Sequence, residues 1–294
     1  MNDHPAPVRP TSGAAHPNWG AEALWEALVP GLPGLSIEVV EKLDSTNSEL
    51  VDRLRSASRS QRNGREGDLS PQILVANQQT AGRGRLGRRW HSSAGSSLTF
   101  SLALPLTRAD WSGLSLAVGL AVADALDPNG RGLGLKWPND VMLCDEGTVA
   151  AGGQVPMGRK LGGILIESVA IGARRAAVIG IGINVAAQKA VEADYAIANL
   201  AEFWPEATPQ ATLARIAVPL VSALLAFDRQ GFAPLEPDYA RRDVLRGRVV
   251  TTTDATMPRG VAAGVDADGA LKVGAEGATH RIVSGEVSVR VASA

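Results

Sequence analysis

Cysteine is almost absent from the 294 residues: Cys144 stands alone, which excludes a disulfide framework and a Cys-rich zinc site. So little use of the thiol suits a reducing compartment, and a cytoplasmic location is expected. Aromatics are scarce at 4%, and neither charge sign prevails, with 29 Lys and Arg against 30 Asp and Glu. That balance excludes a protein whose whole surface grips nucleic acid or an anionic membrane. The four histidines, at 4, 16, 91 and 280, lack metal-ligand spacing. A G-x-S-x-G elbow, an H-E-x-x-H pair and a G-x-x-x-x-G-K-[ST] phosphate loop are all missing. The longest apolar stretches, 113–126 and 216–227, are shorter than the ~20 residues that span a bilayer, so no membrane partner is expected. Residues 1–18 have neither a basic nor an apolar signal region and read as a disordered Pro-rich tail.

What is present is a core-forming chain, 45% hydrophobic and long enough for two domains. Its character changes near residue 243. Over 19–242, strand-like and helix-like runs alternate. Over 243–294 only short strand signals follow, at 248–253, 260–265, 270–273 and 281–283, with Asp268-Gly269 as a hairpin turn, which predicts a small β-barrel. In the larger part, strict alternation over 98–104 predicts a half-buried strand. Further strands are expected at 36–41, 73–77, 133–137, 161–169 and 177–184, and helices at 21–29, 111–126 and 208–227, the last with Thr208 as cap and Pro209 at its first position. Polar stretches at 56–71 and 145–159 read as surface loops.

Five short blocks carry chemistry. Gly82-Arg-Gly-Arg-Leu-Gly-Arg-Arg-Trp90 satisfies G-x-G-x-x-G literally, but the helix and distant acid of a dinucleotide site do not follow. It offers four guanidinium groups on flexible glycines. It can be a mobile solvated basic loop, or one ordered by a polyanion or a carboxylate-phosphate intermediate. Ser45-Thr46-Asn47-Ser48-Glu49 contains a capping box with Thr46 as N-cap, and its hydroxyls also suit a small polar ligand. Lys136-Trp-Pro-Asn-Asp140 places a cation, an amide and a carboxylate in one turn between strands. Lys160-Leu-Gly-Gly163 and Gly180-Ile-Gly182-Ile-Asn184 bare strand backbone, which invites close approach of a ligand. Cys144 reads as a buried strand residue rather than a nucleophile.

Together, Ser45-Thr46-Asn47, Gln79 to Arg88 with Trp90, Lys136 to Asp140, Lys160 to Leu165 and Gly180 to Asn184 closely resemble the biotin protein ligases in order and spacing, over residues 36–290. The resemblance implies an α+β fold: a mixed-sheet catalytic domain of the biotin/lipoate ligase type followed by a small SH3-like β-barrel. It implies activation of biotin by ATP, with Mg2+, to biotinyl-5'-AMP, then transfer to a lysine on the biotin carrier domain of an acyl-CoA carboxylase. By match, Ser45, Thr46, Gln79, Gly82, Arg83, Lys160, Gly180 and Gly182 would hold biotin. Arg85, Arg88, Trp90, Asn139, Asp140 and Asn184 would handle ATP and the adenylate, with Lys160 also on the phosphate side. Arg85, Lys160, Lys136 and Asp140 would be the catalytic set; the metal ligands are not implied.

The residue chemistry agrees, because biotin brings its own nucleophilic carboxylate and the enzyme needs no Ser or Cys. Its task is to gather two anions and stabilise developing phosphate charge. Some family members carry an N-terminal winged helix; about 44 residues precede Ser45 here, so a monofunctional ligase without operator DNA is expected. A homodimer is possible within the family. The rivals are a lipoate or octanoate ligase on the same scaffold, and a non-catalytic RNA-binding protein using the Arg-Gly loop.

Overall fold

The computed structural model describes residues 19–61, 69–144, 155–172, 174–188, 195–254, 257, 259–283 and 289–292. The expected tail at 1–18 lies outside the described residues, as do 62–68 and 145–154 of the two expected loops.

The larger part is a seven-stranded mixed sheet with helices on both faces. After α1 (Ala21–Leu28), β1 (Ser36–Leu43) and β2 (Gln72–Gln79) pair in parallel, joined by the crossover helix α2 (Thr46–Gln61). β3 (Ser97–Pro105), β4 (Leu133–Lys136), β5 (Asp140–Leu143), β6 (Arg159–Ile171) and β7 (Arg174–Asn184) complete it antiparallel, in the order β1-β2-β3-β7-β6-β5-β4. α3 (Leu114–Leu126) and α4 (Pro209–Gln230) cover one face with α1. α2 covers part of the other, setting Leu50, Val51 and Leu54 on Ala103, Val169 and Val178.

Alternation predicts that β3 is half-buried, but both its faces are buried, because α2 sits over the Ser101–Ala103 side. α3 begins at Leu114 rather than at 111. Gly113 precedes it with φ 78°, and the Phe232 ring packs against the Gly113 α-carbon where any side chain would collide. Thr208 caps α4, accepting from the Ala211 N–H at 3.1 Å. At 22 residues, α4 is the one helix among the described residues long and apolar enough to cross a bilayer, longer than its apolar run predicts. It buries Leu213, Ile216, Leu220, Leu224 and Phe227 in the core beside α3, as a core helix does.

Past α5 (Glu236–Ala240), residues 242–244 run alongside β4, with Leu135 exchanging backbone bonds with Arg242 and Val244. The chain then forms an antiparallel sheet in the order β11-β10-β9-β8-β12, from β8 (Val249–Thr252), β9 (Arg259–Val265), β10 (Leu271–Ala275), β11 (Ala278–Ile282) and β12 (Val289–Val291). It is consistent with the expected small barrel, though β12 had no sequence signal of its own. Its 266–270 turn touches the large domain: the Trp137 indole N–H donates to the Gly269 carbonyl at 3.0 Å.

Candidate active site

The glycine pairing decides where the site lies. Gly163 sits opposite Gly182 in the β6–β7 register, and across β3 Gly182 pairs with Thr99 and Gly180 with Ser101. On the α2 side of the sheet this leaves an area where three glycines bare the backbone beside the short side chains of Thr99 and Ser101. The helix stops short of it, so the N-terminal turn of α2 forms one wall. Ser45, Thr46 and Asn47 are all buried there. Ser45, not Thr46, is the N-cap: its Oγ accepts from Ser48 N–H at 3.4 Å, while Glu49 pairs with Arg53 at 2.8 Å. The expected capping box is therefore absent, and the Thr46 hydroxyl turns instead to Gln79 and Ser101.

Over the bare area lies the Arg-Gly segment. It is a folded hairpin rather than a free loop: Trp90 N–H donates to Gly82 at 2.8 Å, Gly84 N–H to Arg88 at 2.7 Å, and Arg83 bridges Arg89. Leu86 (φ 57°) and Gly87 (φ 70°) turn its tip. The Arg83 guanidinium pairs with Glu167 on β6 at 3.2 Å. The Trp90 indole rests on Gly182 so closely that a β-carbon there would overlap the ring, and Asn47 covers Gly180 in the same way. Trp90 Nε1 is buried without a partner among the described residues.

A cavity of about 100 Å3 remains. Its lining brings together Ser45, Thr46, Gln79, Arg83, Arg85, Arg88, Trp90, Lys136, Asn139, Asp140, Lys160, Gly180 and Gly182 from the sequence prediction. Gly82 and Asn184 are not on its surface. Gly82 is pressed against the Trp90 backbone, where only glycine fits the hairpin. Asn184 ends β7 beneath the site, its amide reaching the Lys160 carbonyl at 3.5 Å.

The two ends of the cavity differ in charge. At one end Lys160 Nζ pairs with Asp140 Oδ1 at 2.6 Å and lies 5.1 Å from the Tyr195 ring and 5.9 Å from that of Trp90. Burial pushes the Lys136 ammonium below the ordinary lysine value; Asp140 raises it, while Lys160, Arg290 and Arg88 lower it further. Burial likewise lowers Arg85, against the pull of Asp140 and with the repulsion of Arg88. Cations crowded and partly dehydrated in this way are stabilised by an incoming anion. The other end, at Ser45, Thr46 and Gln79, is rich in hydrogen-bonding groups, and the one cation beside it, Arg83, is already paired with Glu167 at 3.2 Å. Cys144 is buried as expected, but it lies one residue past β5 rather than within a strand, and it is absent from the lining. Sequence reasoning missed Tyr195, Ser101 and Glu167; a lone acid closing the apolar run 160–167 was the one signal available for the last.

Residues 51–184 match the biotin/lipoate A/B protein ligase family, and residues 248–290 match the biotin protein ligase C terminal domain. The chain is 32% identical over 269 residues to the bifunctional ligase/repressor BirA of Escherichia coli, spanning 89% of this chain and 76% of that one. It is 32% identical over 260 residues to the biotin--[acetyl-CoA-carboxylase] ligase of Mycobacterium tuberculosis, spanning 85% and 88%. Among solved structures, the biotin protein ligase of Aquifex aeolicus in complex with biotin and ATP superposes with a TM-score of 0.69 at 26% identity, over 87% of this chain and 99% of that one.

Proposed function

This chain belongs to the biotin protein ligases, and from that premise we propose how its site performs ATP-dependent biotinylation of a biotin carrier domain. The observation that carries the reading is the cavity itself, crowded with cations at one end and lined by hydrogen-bonding groups at the other, over a glycine-bared sheet. A bicyclic ureido head fits the end at Ser45, Thr46 and Gln79. Its carboxylate then points toward Lys160, Lys136 and Arg85.

In the first step a biotin carboxylate oxygen attacks the α-phosphorus of ATP, the bond to the bridging oxygen breaks, and pyrophosphate leaves. Lys160 and Arg85 hold the two anions together and stabilise charge growing on the α-phosphate. Trp90, Asn139 and Arg88 border the space left for the nucleotide. In the second step the neutral amine of a carrier lysine attacks the acyl carbon, an amide forms and AMP departs. Mg2+ fits the residues present only as a companion of the ATP phosphates, since Asp140 is the single carboxylate in the lining among the described residues. When bound there, it would neutralise phosphate charge.

Closure of the hairpin over the adenylate would exclude the water that would hydrolyse it. Incubation with labelled biotin, ATP and a carrier domain tests the function: label is expected on one carrier lysine. Acceptance of lipoate with no label from biotin would overturn it in favour of the lipoate reading, for which the relatives give less support.

A further inference from the structure

A chain of buried and half-buried side-chain hydrogen bonds runs under the Thr46 and Gln79 end of the cavity, and its direction can be worked out atom by atom. Asn47 Nδ2 donates to Glu167 Oε2 at 3.0 Å and to the Leu165 carbonyl at 3.2 Å, which uses both amide hydrogens and turns Oδ1 toward Ser101. Asn47 Oδ1 only accepts, so Ser101 donates to it, at 2.6 Å. A hydroxyl has one hydrogen. In the 2.7 Å contact between Ser101 and Thr46 the donor is therefore Thr46, whose hydrogen now points away from the cavity. Gln79 Oε1 accepts the Thr46 N–H at 2.7 Å and stands 3.1 Å from Thr46 Oγ1. With the Thr46 hydrogen on the shorter bond to Ser101, that second approach brings two lone pairs together. Two acceptors side by side at a cavity wall call for a donor from a ligand.

Glu167 anchors the far end. Its other oxygen is held by Arg83 of the hairpin at 3.2 Å, and a carboxylate in these contacts can only accept.

We propose that Glu167, Asn47 and Ser101 are positioning residues for biotin: anchored on the Glu167 carboxylate, they turn the Thr46 hydroxyl hydrogen away from the cavity, so that Thr46 Oγ1 and Gln79 Oε1 together accept one ureido N–H. The inference rests on the biotin ligase reading. Replacing Ser101 by alanine frees the Thr46 hydrogen to satisfy Gln79 Oε1 internally and removes the acceptor pair. Replacing Glu167 by glutamine gives that end a donor, so the amide of Asn47 can turn and the chain loses its fixed direction.

The test is adenylation kinetics of the full chain with Ser101→Ala and Glu167→Gln, together with an analogue of biotin methylated on a ureido nitrogen. Ser101→Ala is expected to raise KM for biotin on the order of tenfold, as for a lost hydrogen bond, with kcat and KM for ATP within about twofold. Glu167→Gln should change the same constant in the same direction. Both should discriminate less between biotin and its methylated analogue than the unmodified enzyme does. A biotin KM unchanged in both variants, or KM values for biotin and ATP that rise together, would overturn the proposal. Should Ser101→Ala not fold, Glu167→Gln decides, since that side chain is a quarter exposed. If the unmodified enzyme made no adenylate from biotin and ATP, the functional reading would fail; if it does and the variants match it, only this inference fails.

Discussion

Asp243 lies in the connector between the two sheets, 1% exposed. Its Oδ1 accepts the Leu245 N–H at 2.8 Å, while Oδ2 has no partner among the described residues. Burial pushes this carboxyl up from 3.8 to about 6, against the backbone bonds from Leu245 and Arg246 and the Arg246 charge. Between those two values the folded chain keeps a proton that the unfolded chain has lost, so stability falls as pH rises through the window. At 1.36 kcal/mol per pH unit, the loss is about 0.5 kcal/mol at pH 4 and levels off near about 3 kcal/mol above pH 7. Asp243→Asn removes the titration yet keeps an acceptor for Leu245. The variant is expected to be more stable than the unmodified protein at pH 7.5, by an amount approaching that ceiling, and nearly equal to it at pH 4. Urea midpoints measured across pH 4 to 8 check this. Parallel curves, or a variant less stable at pH 7.5, would refute the claim that an ionised Asp243 opposes folding.

Three further outcomes follow from the site and the contact between domains. Lys160→Ala should slow single-turnover adenylate formation on the order of 10²-fold or more, the loss typical of one oriented charge-stabilising donor; an unchanged rate would remove Lys160 from the catalytic set. Gly182→Val should place a side chain where the Trp90 indole now rests, abolishing biotin binding by calorimetry while circular dichroism stays native. Trp137→Phe should lower stability by about 1–3 kcal/mol, because it leaves the buried Gly269 carbonyl without its 3.0 Å donor; thermal melting measures the cost.

Much of the fold was legible because its signals are local. Alternation marked β3, paired glycines marked the bare area on β6 and β7, and Thr208-Pro209 marked the start of α4. Failures arose where tertiary packing overrides local pattern. Thr46 satisfies a capping box in the sequence, yet contacts to Gln79 and Ser101 claim its hydroxyl and shift the cap to Ser45. β12 is three residues long, recognisable only through its ladder with β8. In the site, the cations were legible because they cluster in blocks, with Arg83 to Arg89 the densest. Ser101 and Glu167 were not, because each is a single polar residue in an apolar strand. Their importance appears only when β3 and β6 are brought to either side of β7.

The same arrangement explains why a charge-balanced protein can handle two anions in a fixed orientation. A glycine within a strand costs roughly 0.5–1 kcal/mol relative to alanine, and Gly163, Gly180 and Gly182 concentrate that cost on neighbouring strands. The cost is offset only where something flat lies against the bared backbone, as Trp90 does on Gly182. Orientation then follows from the walls. At the end bounded by Thr46 and Gln79 the two oxygens offer acceptors to a donor, and the nearby Arg83 is already paired with Glu167. At the other end Lys136 and Arg85 are already shifted by burial and gain from a carboxylate. On the proposed reading, a ligand with a hydrogen-bonding head and a carboxylate tail has one favourable direction, with its carboxylate toward the cations proposed to hold the phosphate. Because that carboxylate is the nucleophile, the wall needs no thiol or activated hydroxyl, and Cys144 can remain buried outside the lining.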